Sequence, residues 1–524
     1  MNATTTAKFE LVSNAAGRRV PVEVNGKPQV PFKGIGKHLP TGCKAAPPVR
    51  SSASYPENGD KRVPDLETAL RKCGLRDGMM ISNHHHLRDG DAVAVMMLQT
   101  AARIGVKDLL WFPSASFPAQ KSVIDLMEAG VVHHIEGSMN GPLGDYCTRG
   151  RMRGMGVLRS HGGRWQAIQD GEVHIDIAVI AAPTADQFGD CNGVRGKSAC
   201  GSLGFAIADS MYADHVIVVT DNLVPFPCVP WQIQGNNVDY VVEAESIGDP
   251  SRIVSGTTQI TRSPDRLKIA EYVARFVRDS GIMREGFSFQ AGAGGISLAF
   301  VDYLRGMMKE AGVRARYVRG GSTKYLVDLL REGLTDYILD GQTFDLAGVE
   351  SMATDPRHAM TSPFTSYDYH SKGNFTSLLD VVVLGATEVD LNFNANVVTH
   401  SDGRLLHGIG GWQNCLFAGC VILALPSFRD RIPVIVDNVT TLTGPGELID
   451  VIVTERGIAI NPRRQDLIDA VKGSTLPIRP LADIQREVER ICGGKPQKPR
   501  LLDRPVAVAK WVDGTVLDTV WQVA

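Results

Sequence analysis

Short apolar runs recur along this chain at 78–82, 108–112, 131–135, 175–181 and 216–220, and again at 286–290, 314–318, 337–339, 380–384, 421–425, 433–436 and 451–453. Val, Ile and Ala dominate them without clean alternation, which predicts strands buried on both faces of mostly parallel sheets. Segments with helical spacing lie between, at 65–73, 92–104, 265–279 and 296–309. Strand, polar turn and helix follow one another in that order, so the pattern predicts an α/β class.

The same pattern divides the chain. Residues 1–62 are polar and broken by Pro21, Pro28, Pro31, Pro40, Pro47, Pro48 and Pro56, and read as an irregular arm with little core of its own. The texture loosens again at 247–264 before the amphipathic segment at 265–279. The expected organisation is an arm at 1–62, one α/β domain at 63–260 and a second at 261–524. At roughly 150 residues per domain, a length of 524 residues suggests two large domains or three small ones.

The stretch 379–414 draws the most chemistry together. After the apolar run come Glu388, Asp390, Asn392, Asn394 and Asn396, at the carboxyl end of a predicted strand, where open α/β sheets place ligands. It closes on Gly408-Ile409-Gly410-Gly411, a loop whose bare amides can approach a substrate. A second cluster, Gly292-Ala293-Gly294-Gly295, enters a helix. Neither completes a dinucleotide fingerprint, because Ser297 and Gln413 stand where the third glycine is required. Two such clusters in one domain fit an anion or oxyanion cradle.

Charge narrows the classes. With 55 basic against 57 acidic residues and no long basic run, nucleic-acid binding is not expected. No apolar run approaches the ~20 residues of a membrane span. Nine scattered cysteines without a C-x-x-C pair suit a reduced, cytoplasmic chain. Gly196-Lys197-Ser198 resembles the end of a phosphate loop, but Cys191 occupies the first glycine position. In His84-His85-His86 at most two side chains share a side of an extended segment, so no metal is predicted. Arg88 suits bidentate carboxylate recognition, and Glu455 sits between a strand-like run and a turn.

These residues resemble the α subunit of citrate lyase, a member of the CoA-transferase-like α/β proteins. The resemblance runs from about residue 63 onward and rests on HHHLRDGD at 84–91, GKSACGSLG at 196–204, TDNLVPFP at 220–227, VDYVVEAESIGDP at 238–250, EGFSFQAGAGGISLA at 285–299, EVDLNFNANVVTHSDG at 388–403, RIPVIVDNVTTLTGPGE at 431–447 and VTERGIAINP at 453–462. It implies two CoA-transferase-like open α/β domains. It also implies exchange of acetyl for citryl on an acyl-carrier-protein thioester, releasing acetate. The implied partners are a β subunit, which cleaves the citryl thioester, and a γ subunit, the acyl carrier protein. That carrier supplies a CoA-like prosthetic group, and none is bound covalently to this chain.

On this reading the catalytic candidates are Gly294, Gly295, Gly410, Gly411, Asn396 and Glu455, with Arg88, His85, Lys197 and Glu388 binding substrate. Many related CoA-transferases use a glutamate nucleophile, but the matching neighbourhood, Asn394 to Val398, has no carboxylate. A mixed anhydride is therefore the expected route. Trp412 and Asn414 stand where the lyase pattern leads one to expect histidine and aspartate. That difference leaves open a citrate-like acid such as citramalate, a transferase acting on free CoA thioesters, and a non-catalytic scaffold.

Overall fold

The apolar runs assemble into two large sheets in a computed structural model that describes residues 9–38, 44–49, 56–254, 258–371 and 373–524. Of the predicted arm, residues 1–8, 39–43 (with Pro40 and Cys43) and 50–55 lie outside the described residues, as do 255–257 of the loosened stretch.

The first sheet has seven strands, in the order Arg62–Val63, Tyr240–Glu243, His215–Thr220, Ile177–Ala182, Met80–Asn83, Leu109–Pro113 and Val132–Ile135. Neighbours run parallel throughout. The second has eight, ordered His358–Met360, Ile338–Thr343, Ala315–Ser322, Phe287–Ala291, Val381–Leu384, Val421–Ala424, Val451–Thr454 and Gly457–Ile460; its last pair alone is antiparallel. Helices such as Val93–Ile104, ended by Gly105 at φ 95°, cover the faces. Each fully buried Val or Ile of these strands contributes roughly 1.5–3 kcal/mol.

In each sheet the chain order reverses between two central strands. The reversal falls between Met80–Asn83 and Ile177–Ala182 in the first, and between Phe287–Ala291 and Val381–Leu384 in the second. Loops leaving the carboxyl ends there, 84–91, 292–295 and 385–388, occupy the crevices in which open α/β sheets bind ligands.

Beside each reversal hangs a three-stranded satellite built on one plan. Thr184–Asp186 pairs antiparallel with Cys191–Asn192 and parallel with Leu223–Val224. Glu388–Asp390 pairs antiparallel with Ala395–Asn396 and parallel with Ile435–Val436. Thr184 lies opposite Asn192 as Glu388 lies opposite Asn396. Asp186 Oδ1 accepts the amides of Phe188 (2.9 Å) and Asp190 (3.1 Å); Asp390 Oδ1 accepts those of Asn392 (2.9 Å) and Asn394 (3.1 Å).

Three features depart from the hydrophobic pattern. The run at 433–436 is split into Ile432–Pro433 and Ile435–Val436, outside the large sheets. The strands Tyr240–Glu243, His358–Met360 and Gly457–Ile460 are short edge or near-edge elements that the pattern missed. Residues after Arg500 do not join the second sheet: Leu501–Lys510 and Val516–Val523 form a hairpin that pairs parallel with Gly156–Leu158. Val20 and Val24 of the arm close a small core there with Met155, Val157, Val508 and Val516. Among the described residues no helix is long and apolar enough to cross a membrane.

Candidate functional site

A cavity of about 1080 Å³ opens where the loops of the two sheet reversals meet. The first half lines it with His85, Arg88, Ser138 and His161. The second half adds Gly292–Gly295, Gln342, Phe344, Gly385–Glu388, Gly408–Gly410 and Trp412.

His85 is buried and locked. Its backbone amide donates to Ser114 Oγ at 3.0 Å, and its ring bridges that hydroxyl, 2.5 Å from Nδ1, and Gln342 Oε1, 3.1 Å from Nε2. The ring stacks on His161, with centroids 5.1 Å apart. Burial pushes the His85 pKa down to about 3, so the imidazole is neutral at pH 7. His161, at the start of helix His161–Gln169, is held down for the same reason. Arg88, at φ 53°, lays its guanidinium over Phe344, 4.3 Å from the ring centroid. Its Nη1 is buried without a hydrogen-bond partner, and burial lowers its pKa to about 10, which leaves it fully charged.

The glycine loops line the same cavity. Gly294 is the N-cap of helix Gly295–Ala311, which has no side-chain cap and no acidic residue in its first turn. Its first turn therefore lines the cavity without a side-chain cap on its leading amides. A Cβ on Gly294 would meet nothing within 4 Å, whereas one on Gly295 would press on the Thr261 amide at 3.0 Å. Gly410 takes φ 63° and accepts the His161 amide at 2.8 Å. A Cβ on Gly408 would lie 1.7 Å from Ser138 Oγ, and one on Gly411 would lie 3.1 Å from the Tyr367 hydroxyl. Close approach explains these two glycines, and the left-handed backbone explains Gly410.

Glu388 is buried on the wall. Its Oε2 accepts from the Thr440 amide at 2.9 Å and Asn396 Nδ2 at 3.0 Å, and its Oε1 from Thr440 Oγ1 at 3.1 Å. Asn396 also donates to Thr399 and accepts the amides of Val398 and Thr399, so it shapes the loop and holds Glu388.

The structure thus brings His85, Arg88, Gly294, Gly295, Gly410 and Glu388 to one cavity, with Asn396 and Gly411 directly behind. Two other sequence candidates lie outside the cavity lining. Lys197 donates to the Glu245 carbonyl at 2.7 Å, and Glu455 is buried against the Ser427 amide at 2.9 Å and the Ser427 hydroxyl. His161, Gln342 and Phe344 were not among the sequence candidates. A serine N-cap before His161 marks a helix start, but nothing in the sequence marks its direction.

The two unexpected residues have packing roles. Trp412 Nε1 donates to the Gly385 carbonyl at 2.8 Å, and Asn414 Oδ1 accepts the Gly162 amide at 3.1 Å beside His161. The pair therefore ties the glycine loop to both halves.

The family model described as citrate lyase, alpha subunit (CitF), matches residues 59–523. The citrate lyase alpha chain of Klebsiella pneumoniae is 40% identical over 475 residues, covering 90% of this chain and 93% of its own. A crystal structure from Streptococcus mutans, described as the putative α subunit of citrate lyase in complex with citrate, superposes with a TM-score of 0.92 at 39% identity and covers 98% of this chain and 100% of that one. A 4-hydroxybutyrate CoA-transferase from Porphyromonas gingivalis shares the fold, with a TM-score of 0.54 at 17% identity over 83% of this chain and 99% of its own.

Proposed function

The chain belongs to the citrate lyase α-subunit family, enzymes of transferase character, and on that premise we propose how its cavity performs acyl exchange: citrate replaces acetate on an acyl-carrier-protein thioester. One observation supports this most directly. The partnerless Nη1 of Arg88 and the uncapped start of helix Gly295–Ala311 line the same cavity, one suited to a carboxylate and the other to a carbonyl oxygen gaining charge.

A citrate carboxylate oxygen attacks the acetyl carbonyl, the C–S bond breaks, and the carrier leaves as thiolate. The thiolate then attacks the citryl carbonyl of the mixed anhydride, and the C–O bond to acetate breaks. Amides of Gly294, Gly295 and the Gly410–Gly411 loop stabilise both tetrahedral oxyanions; one such donor is typically worth ~10²–10³ in rate. Arg88 anchors a second carboxylate. Neutral His85 keeps its Nε2 on Gln342 Oε1 and so orients that side chain on the cavity wall.

The proposed partners are a β subunit that cleaves the citryl thioester and a γ subunit that carries the thiol. The γ subunit's CoA-like group is anionic. Arg266, exposed on the rim without an ion pair among the described residues, fits its phosphates.

Mass spectrometry of acetylated carrier mixed with this chain and citrate, citramalate or neither tests the reading. An acetyl-to-citryl mass shift is expected. An acetyl mass unchanged with both acids overturns it, and hydroxylamine trapping of an acylated Glu388 or Glu455 would overturn the anhydride route.

A further inference from the structure

Among the described residues three arginines are buried, and two of them are neutralised. Arg159 pairs with Glu136 and Glu172, and Arg164 with Asp209. Arg319, on strand Ala315–Ser322, is completely buried, yet no carboxylate lies within ion-pair distance of it among the described residues. Its Nη1 donates to Gln290 Oε1 at 3.2 Å and Thr376 Oγ1 at 2.6 Å, while Nε and Nη2 have no hydrogen-bond partner. An unpaired buried charge is strongly unfavourable, so its persistence asks for something negative to answer it.

Arg319 stands behind both glycine loops. Gln290 lies on the strand that runs directly into Gly292–Gly295, and its Nε2 donates to Cys415 Sγ at 2.8 Å just beyond the other loop. The guanidinium carbon sits 4.9 Å from the Tyr367 ring centroid, and the Tyr367 hydroxyl is the atom that a Cβ on Gly411 would meet. Burial raises the Tyr367 pKa, against the opposing charge of Arg319, and keeps the phenol neutral.

We propose that Arg319 is a positioning residue for acyl exchange. Its uncompensated charge holds Gln290 and Tyr367 against the two glycine loops and gives the space between them a positive potential that negative charge developing on the acyl oxygen answers. This rests on the reading of those loops as the oxyanion cradle.

The test is steady-state exchange on acetylated carrier with Arg319→Gln, Arg319→Lys and Tyr367→Phe, alongside wild type. Arg319→Gln is expected to lose roughly 10- to 100-fold in kcat, with KM for the acid nearly unchanged, because the charge acts on the transition state. Arg319→Lys should recover much of that loss at an equal melting temperature. Wild-type kcat in a folded Arg319→Gln overturns the proposal, as does a loss that only follows the folded fraction and is not rescued by lysine. Should neither arginine variant fold, Tyr367→Phe decides: a several-fold fall in kcat supports the proposal, and an unchanged kcat overturns it. If wild type itself exchanges no acyl group, the cradle reading fails instead.

Discussion

The two halves of the molecule contain the same satellite turn, closed by Asp186 in one and Asp390 in the other, yet they equip it differently. Where the first half has Thr184, bonded to Asn222 Nδ2 at 2.9 Å, the second has Glu388 on the cavity wall. Asn192 points its amide at Cys228 Sγ, while its counterpart Asn396 points at the Glu388 carboxylate. The first half answers across the cavity with Arg88 and His85 from its own reversal loop. A shared backbone plan therefore does not decide where chemistry goes; the side chains at a few loop positions do.

Substitutions at the seam should break this division most severely. Gly408→Ala drives a Cβ to 1.7 Å from Ser138 Oγ and 2.7 Å from Ser138 Cα, so the loop must move away from the first half. Exchange should fall by about 10²-fold or more, since a displacement of ~1 Å at a reacting centre costs that much. Steady-state rates beside a thermal melt check it.

Arg88→Gln sharpens the contrast between the half-buried Arg88 and the exposed Lys197. It should reduce kcat/KM for the acid by roughly 10- to 100-fold, the worth of a hydrogen bond to a charged group. Lys197→Gln, outside the cavity, should change it less than about threefold. Equal losses would erase the distinction.

Glycines of the two halves should fail in different ways. Gly294→Ala adds a Cβ to open cavity space, so it should leave the melting temperature intact and slow exchange about tenfold. Gly196→Ala, at φ 86° with the Pro183 carbonyl 2.4 Å from the new Cβ, should lose ~1–3 kcal/mol of stability and keep its rate per folded molecule.

A further expected effect concerns pH. His85 has a folded pKa of about 3 against an ordinary value of 6.5, so below pH 6.5 the unfolded chain binds a proton that the folded chain refuses. Its contribution is complete above pH 6.5 and is lost as pH falls toward 3. The urea midpoint should decline across that window, and His85→Gln should make the decline shallower.

Much of this was legible in the sequence. Buried parallel strands advertise themselves as unbroken apolar runs, so 177–182 and 381–384 could be placed, and the polar clusters after 83 and 384 marked both reversals. Arg88 and the two glycine loops followed from residue type. Lys197 and Glu455 were drawn in by chemical suitability, but side-chain direction and competing partners put them elsewhere. His161, Gln342 and Phe344 reach the cavity through tertiary packing with no spacing signal. The uncompensated charge of Arg319 was equally invisible, because a missing counter-ion is a fact about space.

The pairing of 501–523 with Gly156–Leu158 has a consequence for the order of assembly. During synthesis the first seven-stranded sheet emerges complete long before the hairpin that caps its neighbouring strand. Until residues 501–523 are made, the edge at 156–158 lacks its partner strand, and Val20 and Val24 have only Met155 and Val157 of this core. Closure of this small core therefore waits on residues 501–523, which follow the first sheet in the chain.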